Sequence, residues 1–560
     1  MQLVRIVPSL FLSAMILGGC GGGKKPPQLQ VSKPAPIQVP VPATPASSDL
    51  WGYAKLRDPL GLAQKIFGPM TQPMLLSLGL GPNDLKPGSS AALYVWDPEG
   101  QPLMAAPSAL MLPFPAESER IAELSRAFAG TQALPIPSGT LFLLNPAAQA
   151  KAKTQKDAIL QLGAAQSPFD VTVYAYLDPI LKKHGPALRE TLNKVGESVA
   201  VNGQNAALPG TGDSIKKLYS NLVDSLIELK SATLAANLTD RALELSLISE
   251  NKAPASKTEP YAVPDLLSFL PPSHLRLQWN TRDMQRFVDF YLKTYAPMFE
   301  SQPPIKEAMQ KSLSEWSKAG QKISMAMSVT IGGDNYIQMS SIMKVEDGKA
   351  ALSAMRTGFQ ILMSPKVKES WDKLGISMTS KVSQGARKLH GWPVDSYEYS
   401  YQVTKPEMQT AKQMFDKFSN LKMEVVQVGN YLVFAMGGSV DQAVNALMTG
   451  KPEFPVEAMK RFPAGAAVYA DIDLKRIAAT VEKMMGRPLA IPLPQGAEVV
   501  SAASFEGSAA SQHQLFVPKA LVDLGIGALM SAVQTRSRSN DDFGYDPAGP
   551  MGPPPGAPPP

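Results

Sequence analysis

The stretch Val468-Tyr469-Ala470-Asp471-Ile472-Asp473-Leu474 decides how the chain is read. Val468, Ala470 and Ile472 alternate with more polar neighbours, the period of a strand with one buried face. Asp473 then stands where a carboxylate accepts from the unpaired amides of a helix's first turn. Beyond it, Leu474, Ile477, Ala478, Val481 and Met485 recur at three- and four-residue spacing and predict an amphipathic helix. The same phrase occurs as Tyr53-Ala54-Lys55-Leu56-Arg57-Asp58-Pro59 and as Val173-Tyr174-Ala175-Tyr176-Leu177-Asp178-Pro179. A weaker copy is Leu275-Arg276-Leu277-Gln278-Trp279-Asn280. Proline directly after the cap suits the first helical position, where its missing N–H costs nothing.

Hairpins follow these strand–helix phrases. Segments 232–238 and 242–248 flank Thr239-Asp240-Arg241, segments 324–331 and 336–343 flank Gly332-Gly333-Asp334-Asn335, and 423–428 and 431–436 flank Gly429-Asn430. Phe505 and the run 514–517 flank a further Gly/Ser/Ala turn. Glycine and asparagine supply the positive φ that tight turns need. Other helical periods lie at 215–229, 284–295, 305–316 and 408–421. The expected fold class is α+β, with repeated strand–helix–hairpin units, mostly antiparallel sheets and disordered Pro-rich segments at both ends.

Composition bounds the rest. Of 560 residues, 44% are hydrophobic and 18% charged, enough for a sizeable core. The net charge of +6 is spread thinly, with only small basic clusters such as Lys24–Lys25, Lys182–Lys183 and Arg536/Arg538. Nucleic-acid binders concentrate lysine and arginine in patches, so none is expected as a partner. The single cysteine, Cys20, excludes an intramolecular disulfide.

The first residues read Met1-Gln2-Leu3-Val4-Arg5, an apolar run over 6–17, then Gly18-Gly19-Cys20. A short basic start, a brief apolar run and small residues at the cut make an export signal over 1–19. The run is too short for a spanning helix, which needs about 20 residues. Leu17-Gly18-Gly19-Cys20 resembles the lipobox of bacterial lipoproteins. That resemblance implies cleavage before Cys20, a thioether to diacylglycerol on its sulfur and acylation of the new amine. Several acyl chains anchor stably where one is reversible. Gly21 is not the aspartate of the inner-membrane retention signal in enterobacterial lipoproteins, which favours an outer membrane where the cell has one. The resemblance thus places the protein in the cell envelope, held to a membrane through Cys20.

From Cys20 to residue 48 the chain is Gly/Pro-rich and predicts a stiff tether of polyproline character. An N-terminal α+β domain is expected over 49–250, a linker over 251–264, a C-terminal α+β domain over 265–534 and a disordered Pro/Gly-rich tail over 535–560. The tail's Phe543-Gly544-Tyr545 and prolines also suit an aromatic-lined groove, a less economical reading than a solvated end. In pattern, the body is loosely similar to uncharacterised exported bacterial proteins with repeated strand–helix–hairpin units, a likeness that implies no activity.

Motifs for chemistry are sparse. His184, His274, His390 and His513 lie far apart in sequence, without the short spacings of zinc or metalloprotease sites. Ser214-x-x-Lys217 and Ser370-x-x-Lys373 are two-residue patterns that arise by chance, and Ser214 reads as a helix cap. Gly79-Leu80-Gly81 lacks the further residues of a phosphate loop. Asp471 and Asp473 alternate on a strand and so share a face, the geometry of a weak acid/base pair, but recurrence of the cap favours architecture. The 26 methionines, among them Met325, Met327, Met484 and Met485, read as adaptable core, with a re-packing apolar groove as the functional alternative.

No catalytic residue, cofactor or metal site is expected, and Cys20 is the one site residue. The expected function is a membrane-anchored envelope lipoprotein with a non-enzymatic binding or structural role toward an envelope protein or polymer. The alternatives are a carrier of an apolar ligand such as lipid, and a hydrolase whose site is assembled from distant residues, with Asp471 and His390 as its candidates. The sequence leaves the oligomeric state open.

Overall fold

The computed structural model describes residues 31–32 and, with short interruptions, 49–204, 228–292, 303–404 and 421–527. Cys20, the tail from 535 and the Ser214/Lys217 pattern lie outside the described residues, as does all of the tether but residues 31–32.

Eighteen strands join in one sheet. In chain order they are β1 Leu50–Leu56, β2 Ala91–Trp96, β3 Ser108–Leu112, β4 Gln132–Ile136, β5 Gly139–Leu143, β6 Val171–Tyr176, β7 Leu229–Leu238, β8 Ala242–Asn251 and β9 Leu275–Thr281. Then come β10 Ile323–Ile331, β11 Ile337–Lys344, β12 Ile376–Leu389, β13 Trp392–Val403, β14 Leu421–Val428, β15 Tyr431–Met436, β16 Val468–Asp473, β17 Val499–Glu506 and β18 Ala510–Pro518. All pairings are antiparallel. The spatial order is β4-β5-β3-β2-β1-β6-β7-β8-β18-β17-β16-β9-β10-β11-β15-β14-β13-β12. A separate pair joins Val31–Ser32 to Val263–Pro264. The chain is α+β with a large antiparallel sheet, as the strand and helix periods predict. Strands before and after the 251–264 segment meet where β8 pairs with β18, Leu245 opposite Leu515.

Local chemistry accounts for many element ends. Asp58 accepts from Gly61 N at 3.0 Å, and Pro59 opens the helix Pro59–Phe67. Asp473 accepts from Arg476 N at 2.9 Å at the head of Leu474–Met485. Gly429, at φ 62°, turns the chain between β14 and β15. Two of the expected caps differ. Asp178 sits inside the first turn of Leu177–Gln204 and pairs with Lys182 and Lys252, each at 2.8 Å. Asn280 is buried on the sheet, its Nδ2 donating to Ala466 O at 3.0 Å, so it caps no helix.

Register divides the side chains between two faces, here front and back. Across the middle of the front run Val173, Leu234, Leu247, His513, Ser504, Val468 and Trp279, each opposite the next. From β9 to β15 both faces are clad. The front packs Met325, Met327, Phe434 and Met436 under the helices Pro303–Trp316 and Gly348–Leu362. The back packs Ile342, Val433 and Ala435 against the helix Asp441–Thr449. Over β2, β3 and β5 the back holds Tyr94, Trp96, Met111 and Leu141 beneath Ile159 and Leu162 of the helix Lys156–Ala164. Met325 and Met327 are therefore core, as their strand position predicts.

Candidate functional site

The two carboxylates of the opening stretch are not used together. Asp471 is 2% exposed and lies on the back face. Its oxygens accept from Glu457 N at 2.8 Å and Ala458 N at 2.9 Å, the first amides of the short helix Glu457–Arg461, and from Ser501 Oγ at 2.7 Å. Arg276 stands 3.6 Å away, half of an ion pair whose other contact is Pro455 O. Burial lowers the Arg276 pKa, against the opposing pull of Asp471 and Asp473. Asp473 caps its own helix and also holds Arg476 at 3.1 Å. Each carboxylate stabilises a different helix start, so neither faces a shared space for acid–base work.

The histidines are equally dispersed. His390 occupies the β12–β13 turn at φ 51°, exposed, with Nε2 2.6 Å from Asn445 Oδ1. His184 packs edge-on to Trp51 at 5.0 Å. His274 is buried and clasps three elements: its Nδ1 accepts from Ile331 N at 2.9 Å, which leaves Nε2–H to donate to Thr480 Oγ1 at 2.9 Å. Burial lowers its pKa, with Arg476 adding to the effect and Asp473 opposing it. Ser370 Oγ donates to Lys366 O within its helix while Lys373 pairs with Glu369, so that pattern forms no dyad. Gly81 N donates to the Asp84 carboxylate at 2.6 Å, and Gly79 lies outside the described residues. Among the described residues no three His, Cys, Asp or Glu side chains gather to hold a metal ion.

Sequence spacing does not single out Ser504 and His513, which the sheet brings face to face. Ser504 Oγ and His513 Nδ1 lie 2.9 Å apart on the front, directly opposite each other on β17 and β18. This is a nucleophile–base distance. Both strands commit their backbone amides to the ladder at these positions, so no pair of free N–H groups stands ready for an oxyanion. No carboxylate hydrogen-bonds the His513 ring among the described residues. The pair is an exposed polar contact on this face.

Around it lies the larger feature. Val173, Leu234, Leu247 and Leu515 are 39%, 45%, 44% and 37% exposed, although they occupy the middle of the sheet. The alternation of β8 explains why this is unusual. Leu243, Leu245 and Leu247 point to the front, while Ala242, Glu244, Ser246 and Ile248 point to the back. On β7 the front takes Ala232, Leu234, Ala236 and Leu238, and the back takes Ser231, Thr233, Ala235 and Asn237. Here the front is the more apolar parity, yet no hydrophobic cluster of the described residues covers it. The helix Leu474–Met485 has no buried residue, and Met484 and Met485 are exposed.

The track has chemically distinct ends. At one end Ser249 Oγ and Ser511 Oγ lie 2.7 Å apart. At the other, Lys519 N donates to Arg241 O at 2.9 Å, which sets two cationic residues opposite each other just past Leu243 and Val517. Lys519 Nζ contacts Asp523 at 2.6 Å. Among the described residues no helix is long and apolar enough to cross a membrane, a statement that leaves membrane-crossing strands aside. No protein-family model, curated protein or solved structure matches the chain.

Proposed function

We propose that this chain is a bacterial lipoprotein of the cell envelope, anchored through lipidated Cys20, whose body binds a partner rather than catalysing a reaction. One observation carries the non-enzymatic reading: Asp471 and His390, the residues offered for a distant-residue site, are spent on a helix start and on a turn, while an apolar front face stands open. The anchor is supported by the sequence of the first 20 residues, and an outer membrane by Gly21 where the cell has one. The Pro-rich segments at 20–48 and 535–560 are a tether and a disordered tail in this reading. Residues 31–32 pair with Val263–Pro264, so the free reach from Cys20 is that of residues 20–30, about 34 Å in polyproline form.

The body is built from related strand–helix–hairpin units. Four stretches support this: β1-β2-β3, β6-β7-β8, β9-β10-β11 and β16-β17-β18 are each laid side by side in chain order, with helix between the first two strands. The first strands associate in pairs, β1 with β6 and β9 with β16. Binding of an apolar ligand is the second reading, favoured over a protein or polymer contact by the exposed front residues.

Metabolic labelling with an alkyne fatty acid tests the anchor. Label is expected on the protein and absent from Cys20→Ser, which is released from the membrane fraction. An unlabelled protein refutes it.

A further inference from the structure

We propose that residues 540–547 of the chain's own tail add as an antiparallel strand to the free edge of β12. Phe543 and Tyr545 then lie on the front beside Ser380 and Met378, and Asp542 lies on the back opposite Lys381. This goes beyond the binding reading above: it takes these residues out of the disordered tail, and it stands or falls apart from the Cys20 anchor.

The two edges of the sheet differ. β4, at one end, is five residues long and carries Pro135, which has no N–H to offer. β12, at the other, runs for 14 residues without a proline and pairs only with β13 among the described residues. Its register is unbroken from Ile376 to Ser383, and a bulge follows before Arg387. Thr404 N donates to Gly375 O at 2.8 Å, which sets the parity of the ladder. Ser377, Thr379, Lys381 and Ser383 therefore turn their backbone groups to β13, and Ile376, Met378, Ser380 and Val382 turn theirs outward. An open row of this kind is a template for one more strand.

The side chains beside that row define the strand it fits. On the back, Lys422, Glu398 and Lys381 stand opposite one another across β14, β13 and β12, a row of alternating sign that ends on a lysine. Lys381 is exposed and makes no ion pair with Glu398 or any other described residue, so an acidic residue extends the row. On the front, Tyr399 lies opposite Ser380 and Tyr401 opposite Met378, with the two tyrosine rings stacked at 6.4 Å. An aromatic side chain placed next in those rows gains aromatic and methionine neighbours. Asp542-Phe543-Gly544-Tyr545-Asp546 has this pattern, aromatic on one parity and acidic at both ends of the other. With Asp542 opposite Lys381, Phe543 falls beside Ser380, Tyr545 beside Met378 and Asp546 beside Ser377. Pro547, which cannot donate, falls at Ile376, where β12 begins. Asp541 beside Val382 is the one pairing without matched chemistry, at the bulged end.

The length of chain permits it. From Gly527, the last described residue, to Asp542 the extended chain covers about 50 Å at ~3.3 Å per residue. β12 lies nine strands from β18 across the sheet, about 43 Å at ~4.8 Å per strand. A segment without fixed structure of its own can order on such an edge.

The test uses the full mature chain carrying Cys20→Ser, in solution. Hydrogen exchange should show the outward amides of Met378, Ser380 and Val382 protected. Phe543→Asp with Tyr545→Asp should speed their exchange at least tenfold while the inward amides of Ser377, Thr379 and Lys381 stay protected. Lys381→Asp should act likewise, and Lys381→Asp with Asp542→Lys should restore protection. On mild oxidation, Lys381→Cys with Asp542→Cys should close a disulfide within one chain at least tenfold faster than Lys381→Cys with Asp546→Cys. Outward amides that exchange freely in the full chain overturn the proposal. Protection that survives Phe543→Asp with Tyr545→Asp does so too, because the edge then has another occupant. So do equal oxidation rates for the two cysteine pairs, or a disulfide that joins two chains, which would put a second copy's tail on the edge.

Discussion

Replacing Asp471 by alanine should destabilise the fold far more than the same change at Asp473, two residues away. Asp471 is buried and serves four groups at once: two helix amides, the Ser501 hydroxyl and the Arg276 guanidinium. Removing one partner of a buried ion pair costs about 3–5 kcal/mol because the other charge is stranded. Arg276 is already short of partners, with one guanidinium nitrogen buried and unbonded. The two lost amide bonds add about 1 kcal/mol each in the manner of a helix cap, less what water recovers at half-buried Glu457. The 3.6 Å separation makes the ion pair a loose one, which takes its part to the low end of that range, about 3 kcal/mol, and the total to about 4–5 kcal/mol. Asp473 is half-buried and caps one helix that buries no residue, so Asp473→Ala should cost about 1 kcal/mol. Urea unfolding at neutral pH, with the slope checked for constancy, separates the two. Asp471→Ala combined with Arg276→Met should recover at least about half of the loss, since the stranded charge is gone. A cost of about 1 kcal/mol or less for Asp471→Ala, or no recovery in the double variant, would refute the assignment of this carboxylate to architecture.

Acid should loosen the helix Leu474–Met485 through His274. Burial holds this ring neutral in the fold, and Nδ1 can accept from Ile331 only while unprotonated. The stabilisation is therefore complete above the ordinary histidine value of 6.5 and is lost as pH falls below it through the depressed folded value. The protection factors of the Ile331 and Thr480 amides, with the intrinsic exchange rate at each pH divided out, should fall over that window from pH 7 downward, and the same acid dependence of protection in His274→Gln would contradict it. At the junction of β1 and β6, Gly52→Ala should cost about 1–3 kcal/mol, because a Cβ there overlaps the Tyr174 carbonyl oxygen of the paired strand. An unchanged thermal midpoint for Gly52→Ala would show that the two strands can separate freely at that point.

What could be read in the sequence is what is decided within a few residues. The Asp473 cap, the Pro59 helix start and the Gly429 turn each need partners no more than about four positions away. The period of β8 is equally plain, but its meaning is not. An alternation tells which parity is apolar, and only the sheet order tells which face that parity meets. That order depends on β8 meeting β18, whose Ser249 and Ser511 are 262 positions apart. Asp471 illustrates the same limit at shorter range. Its alternation with Asp473 suggests a shared face, but its partners come from residues 457 and 458, upstream of the strand, and from Arg276 on another strand. Asp178 and Asn280 show that a matching phrase can end differently, since tertiary partners at Lys252 and Ala466 take the side chains that propensity would give to a cap.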